Sequence, residues 1–214
     1  MGLYEECIKR PFTNLKRLLA GILWNIIPVV NFIASGYAFR CAKLSMKNNF
    51  EMPAWDEKGE LFLNGLRVFL ISIIYLLPVI ILSMILFFSF ILSIDIARYR
   101  EDPNYIIDLI KPIILNNLFL FIALFLLFLL TIYITPSAVM SFVNKNKFNE
   151  TFNFKTVFRK AFTGKYFEVS VLMFIYAFLV YFLLNFIPLI GGIIASFLVQ
   201  VTLYSAYGAV YNKL

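Results

Sequence analysis

The chain alternates long apolar runs with short charged segments, and few of its runs show the polar stripe of a surface helix. Residues 68–94 carry no charged side chain over 27 positions, and residues 112–143 carry none over 32. About 20 helical residues cross a bilayer. The first run therefore predicts one span, and the second a span with surplus length whose Asn116 and Asn117 fall near an interface. Residues 169–190 and 193–211 predict two more, divided by a Pro188 turn with the paired glycines Gly191 and Gly192. With no charge between them, these two must form a tight hairpin. Pro78 and Pro136 fall inside the first two runs, where each deletes a backbone hydrogen bond and is expected to bend its helix.

Residues 18–39 are harder to read. Their length suits a single crossing, yet Pro28 divides the run into arms near 12–27 and 29–47. Charge decides between a crossing and a return. The Lys and Arg residues number four through Arg17, five in 40–67, three in 95–111, six in 144–168, none at 189–192 and one at the C-terminus. A single crossing puts 7 on one side and 12 on the other, whereas a hairpin over 12–47 puts 3 against 16. Bases in short flanking segments mark the cytoplasmic side, so the hairpin is preferred and both termini are expected in the cytoplasm. Full crossing and a re-entrant loop remain open for this hairpin. Its Asn25-Ile26-Ile27-Pro28 then matches Asn185-Phe186-Ile187-Pro188, both turns lying toward the outer side. Cys7 and Cys41 fall on the same side, with Cys7 the more accessible.

Composition supports lipid as the solvent. Of 214 residues, 62% are hydrophobic and 14% charged, with 25 phenylalanines and a mean hydropathy of +0.86. A soluble chain is about 45–50% apolar and about 25% charged. The net charge of +7 comes from bases confined between apolar runs, which suits anionic headgroups and argues against nucleic acid as partner. Histidine is absent, removing the usual proton carrier near neutral pH. The N-terminus, with Glu5 and Glu6 beside its bases, does not read as a secretion signal.

Little in the chain could carry chemistry. No Asp, Glu, Lys or Arg lies in the apolar cores, and Asp95 and Arg98 fall at an expected outer edge. Intramembrane charge marks proton and ion pathways, so its absence argues against a proton-driven carrier. Asn185 and Gln200 are the polar intramembrane candidates, with interhelical bonding the default role for Gln200. Asp56, Glu57 and Glu60 after Pro53 suit a helix start. Ala34, Ala38 and Ala42, and Ala195, Thr202, Ala206 and Ala209, form small-residue stripes that permit close helix approach. No catalytic, cofactor-binding or metal-ligating set is expected.

Two linkers align at an offset of 99, 53–65 with 152–164, pairing Trp55 with Phe154 and Gly65 with Gly164. In the second, Phe154, Val157, Phe158 and Phe162 have helical spacing, beside Lys155, Arg159 and Lys160. That pattern suits a short helix on the inner membrane surface or, equally, one packed against neighbouring spans.

Ile27-Pro28, Gly36-Tyr37, Pro53, Trp55-Asp56, Phe62 and Gly65 together resemble a largely archaeal, prokaryotic family of multi-pass membrane proteins of unknown function, with a Leu-Pro-x-Trp-Asp linker. Met52 stands for the usual leucine and Lys58 for an aromatic. The resemblance implies a membrane location and a helical fold, and brings no activity or catalytic residue. The expectation is an all-α polytopic bundle, a single membrane domain over 1–214 with proline-turn hairpins and short amphipathic cytoplasmic linkers. The expected role is a non-enzymatic scaffold in the cell membrane, in contact with lipids and with a protein partner of unknown identity. The alternative is a carrier or channel for a lipid or another poorly charged molecule.

Overall fold

A computed structural model describes residues 2–92, 94, 104–188 and 190–214. Asp95, Arg98 and Leu189 lie outside the described residues. All regular structure among the described residues is helical. Helix α1 is Leu3–Lys9, followed by a 3-10 turn at Arg10–Thr13; α2 is Leu15–Ile26 and α3 Asn31–Ser45. Helix α4 runs Lys58–Leu92, α5 Tyr105–Asn116 and α6 Leu118–Lys145. A second 3-10 turn at Phe148–Phe152 leads to α7, Phe154–Ala161, then α8, Gly164–Leu184, and α9, Gly191–Tyr211. Four of these, α4, α6, α8 and α9, are long and apolar enough to cross a membrane. The protein is a polytopic transmembrane helix bundle.

The chain divides into two compact units, one of residues 1–72 with 133–214 and one of residues 73–132. In the first unit α9 is the central helix. Of its most apolar window 67% is buried, against 11–17% for the other three spans, so α9 is wrapped by protein where they face lipid. Its largest interface is with α3. Ala34, Ala38 and Ala42 on α3 and Ala195, Thr202, Ala206 and Ala209 on α9 are buried, as the stripes suggest. Lipid tails give little hydrophobic drive for helix association, so close packing has to supply it.

Contacts across these helices give the depth of the N-terminal hairpin. Ser35 bonds Gln200, the Ala42 backbone abuts Gly208, and Asn212 donates to the Met46 carbonyl. The offset is 165 or 166 each time, so α3 and α9 run parallel. Helix α2 runs the other way, with Gly21 against the Phe197 ring and Asn25 Nδ2 donating to the Ile193 carbonyl at 3.1 Å and to Ser196 Oγ at 2.5 Å. The chain thus turns back at Ile27–Val30, beside the first turns of α9. Arms of 12 and 15 residues span only about 18 and 22 Å, and by the offset of 165 or 166 the first residue of α3 lies about a turn past the N-terminal end of α9.

The second unit combines the distal half of α4 with α5 and the first part of α6. The uncharged run 112–143 is not one helix: α5 ends at Asn116, Asn117 has φ −111° and ψ 16°, and α6 starts at Leu118. The Asn117 side chain caps its own helix through the Ile113 carbonyl at 2.9 Å.

Candidate functional site

The distinctive construction lies between α3 and α4, where residues 49–57 form a non-helical strap. A non-helical strap leaves its carbonyls without helical partners. Here four in succession are taken by side chains. Arg10 Nη2 donates to Glu51 O at 2.7 Å, Arg17 to Met52 O, Tyr37 OH to Pro53 O at 2.7 Å, and Arg40 Nη1 to Ala54 O at 3.5 Å. Trp55 then stacks on Tyr37 with centroids 3.9 Å apart and returns its indole N–H to the Arg17 carbonyl at 3.0 Å. Arg40 also pairs with Asp56, and with Glu57 at 2.8 Å. Asp56 and Glu57 directly precede α4, which starts at Lys58 with Glu60 in its first turn, and the Glu57 carbonyl accepts the Leu61 N–H at 3.1 Å, so the acids stand at a helix start as the sequence suggested.

Arg10 was hidden among the bases of the N-terminal arm. It is fully buried, and Nη1 donates to Cys41 O, Ser45 Oγ and Ser205 Oγ at 2.8, 2.6 and 3.0 Å. One side chain therefore joins α3, the strap and α9. No carboxylate pairs with it among the described residues, so hydrogen bonds alone support the buried charge. Below the strap, Gly36 and Gly65 bring α3 and α4 into backbone contact. A Cβ on Gly36 would collide with the Leu61 carbonyl, and one on Gly65 with that of Phe32. The residues Gly36-Tyr37, Trp55-Asp56 and Gly65 thus converge on one helix crossing.

Near the first hairpin turn lies a recess of about 370 Å³ lined by Pro28, Asn31, Ser35, Ser72, Gln200 and Tyr204, among others. Gln200 Nε2 reaches Ser35 Oγ at 3.3 Å, and Oε1 is buried without a partner. Rotating the amide only exchanges which end is orphaned. The recess carries no charge. Asn185 is elsewhere: it caps α8, its N–H bonding the Tyr181 carbonyl at 2.9 Å, and its side chain is exposed. Gln200 stands nine residues past Gly191, about 14 Å along α9. The two intramembrane amides do not meet.

Pro28 and Pro188 occupy turns, while Pro78 and Pro136 sit inside α4 and α6. Gly191 packs against the Leu184 carbonyl, and Gly192 faces open space. The two aligned linkers differ in conformation. Trp55 is in the non-helical strap and packs on the core, whereas Phe154 opens a helix and is exposed. Gly65 is a tight contact and Gly164 is not. Helix α7 is pinned by one face: Val157 and Ala161 are buried, Ser137 Oγ donates to the Val157 carbonyl at 3.0 Å, and Tyr133 OH donates to that of Ala161 at 2.6 Å. Lys160 caps the end of α9 through the Tyr211 carbonyl at 2.8 Å, its Nζ 3.6 Å from the Tyr211 ring centroid. Burial pulls its pKa below the usual lysine value, with Arg159 adding to the shift.

A family profile described as "Protein of unknown function (DUF4013)" matches residues 19–189. The chain belongs to that family. The match begins inside α2 and ends at the second proline turn, so most of the α2–α3 hairpin and all of the strap and α7 lie in the DUF4013 region, while Arg10 and Arg17 precede it. No curated protein and no solved structure matches the chain. Among the described residues no three His, Cys, Asp or Glu side chains are grouped to hold a metal. Both cysteines are buried, contrary to the expectation of an accessible Cys7, and burial pushes the Cys7 thiol up to about 12.

Proposed function

We propose that the protein is a non-enzymatic scaffold of the cell membrane, with both termini cytoplasmic, and that the strap side is where its partner docks. The observation that carries this reading is the succession of strap carbonyls held by Arg10, Arg17, Tyr37 and Arg40. Four donors fixing a short exposed segment preorganise it, and preorganisation lowers the ordering cost of binding. Ala54, Asp56 and Glu57 are left on the outside. Photo-crosslinker placed at Ala54 in intact membranes should capture a recurring protein, and capture should fall when Arg17→Gln loosens the strap. Diffuse labelling that ignores Arg17→Gln would sink the proposal.

Orientation is tested separately. The partition of 16 bases against 3 supports a cytoplasmic strap. Since Cys7 and Cys41 are buried, new reporters are needed at the exposed Lys47 and Lys213. An impermeant thiol reagent should label Lys47→Cys and Lys213→Cys only after the inner face is opened.

A second reading, a carrier for a lipid or another poorly charged molecule, is favoured by the uncharged recess at Gln200. Proteoliposomes that move a neutral lipid or polyol, and stop doing so with Gln200→Leu, would establish it over the scaffold. No flux in sealed vesicles, with Gln200→Leu folding normally, would leave Gln200 a packing residue.

A further inference from the structure

Helix α7 has three distinct faces. At about 100° per residue, Val157 and Ala161 point to the core. Phe154, Phe158 and Phe162 follow at about 80° around, and Lys155 and Arg159 at about 160°. The phenylalanines are 53, 40 and 62% exposed, although the helix is firmly attached through Tyr133 and Ser137. The open aromatic face is therefore not a sign of loose packing. The stack of Phe158 on Phe162, centroids 6.1 Å apart, makes it continuous past the end of the helix.

The charges beside this face are uncompensated. Lys145 is paired with Glu150 at 2.9 Å, and Lys160 is engaged by Tyr211. Among the described residues, no carboxylate lies within ion-pairing distance of Lys155, Arg159 or Lys165, all three exposed. Depth agrees with an interfacial position. Tyr133, Tyr166, Tyr207 and Tyr211 gather around α7, and tyrosines favour the level of the headgroups.

We infer that α7 is a half-immersed binding surface for anionic lipid, with Phe154, Phe158 and Phe162 in the acyl region and Lys155 and Arg159 on the headgroup phosphates. Apolar and basic faces about 80° apart are what a helix needs to touch both layers while a third face stays on the protein. Each base near an anionic surface enriches its counter-ions severalfold. The inference names lipid headgroups, and stands whether or not the strap binds a protein.

The full-length protein can test this, because its two native thiols are buried. Phe162→Cys, carrying a bimane label, would be reconstituted in vesicles containing brominated phosphatidylglycerol or, at equal mole fraction, brominated phosphatidylcholine. Both lipids should quench the label, the phosphatidylglycerol about threefold or more strongly. Lys155→Gln with Arg159→Gln should remove that excess and keep the common part, and high salt should reduce the excess. Quenching by neither lipid would place α7 out of the bilayer and overturn the inference. Equal quenching, or an excess that survives the double substitution, would overturn the headgroup selectivity.

Discussion

Residues 73–132 and the unit formed by 2–72 with 133–214 are both strongly apolar, and each contains scattered Ser, Thr and Asn. They use them differently. In the 73–132 unit, Ser83 bonds the Val79 carbonyl and Asn117 that of Ile113, each four residues back along the chain. In the other unit such back-bonds recur, as at Ser72 and Ser205, and polar groups also reach across: Asn25 to Ile193 and Ser196, Ser141 to Tyr211, Thr202 to Tyr176 and Tyr207 to Ser170. Back-bonding lets a small hydroxyl sit in lipid at little cost. Cross-bonding chooses a neighbour. The lesson is that polar content in an apolar run does not measure how specifically the run is packed.

The largest effect should come from the helix crossing. Gly36→Val would drive a side chain into the Leu61 carbonyl, where the opposing atom is backbone and cannot give way. We expect a loss above about 3 kcal/mol, enough to remove the monodisperse peak in size-exclusion chromatography. Leu126→Ala, on an exposed helix surface of the 73–132 unit, should leave that peak intact. Equal damage from both would erase the contrast.

Arg10→Met comes next. It removes a buried cation and the charged donor shared by Ser45, Ser205 and the Cys41 and Glu51 carbonyls, of which the two hydroxyls keep their bonds to Cys41 and Val201, at a cost of about 3 kcal/mol. Thermal unfolding in detergent should show it, and hydrogen exchange in the strap should quicken beyond that in α6.

Cys7 sharpens the comparison through pH. Its folded thiol stands at about 12, above the ordinary value of about 8.5, with burial as the main cause. The unfolded chain therefore ionises first, so the stabilising contribution is intact below the ordinary value and is lost as pH rises toward the folded one. Cys7→Ala should flatten the decline of stability between about pH 9 and pH 11; an unchanged slope would assign the decline to other groups.

The smallest effect concerns the turns. Val29 holds φ 70°, a left-handed conformation that costs a β-branched residue about 1 kcal/mol, whereas the break at Asn117 has φ −111°. Val29→Gly should raise the unfolding temperature slightly, by up to about 1 kcal/mol of stability. A decrease would show that the Val29 side chain contributes more than its backbone strain costs.

The sequence by itself determined the solvent, the four long helices and the return of the chain at Pro28. These follow from local quantities: run length against bilayer thickness, the distribution of bases, and proline's missing N–H. The small-residue stripes of α3 and α9 were equally legible, because close helix contact needs small side chains wherever it occurs. Other features depend on where distant segments meet. Arg10 has the same local setting as Lys9, yet one is buried across three elements and the other pairs with Glu5 on the surface. The strap's four donors come from α2, α3 and the turn before them, and no spacing links them to the carbonyls they hold. The aligned linkers, similar in pattern, became a non-helical strap and a helix because Tyr37 offers Trp55 a stacking surface, while Val157 and Ala161 give α7 a core-facing side. Tertiary structure decided these points, since the free energy of a buried polar group depends on its partners, which a linear pattern does not contain.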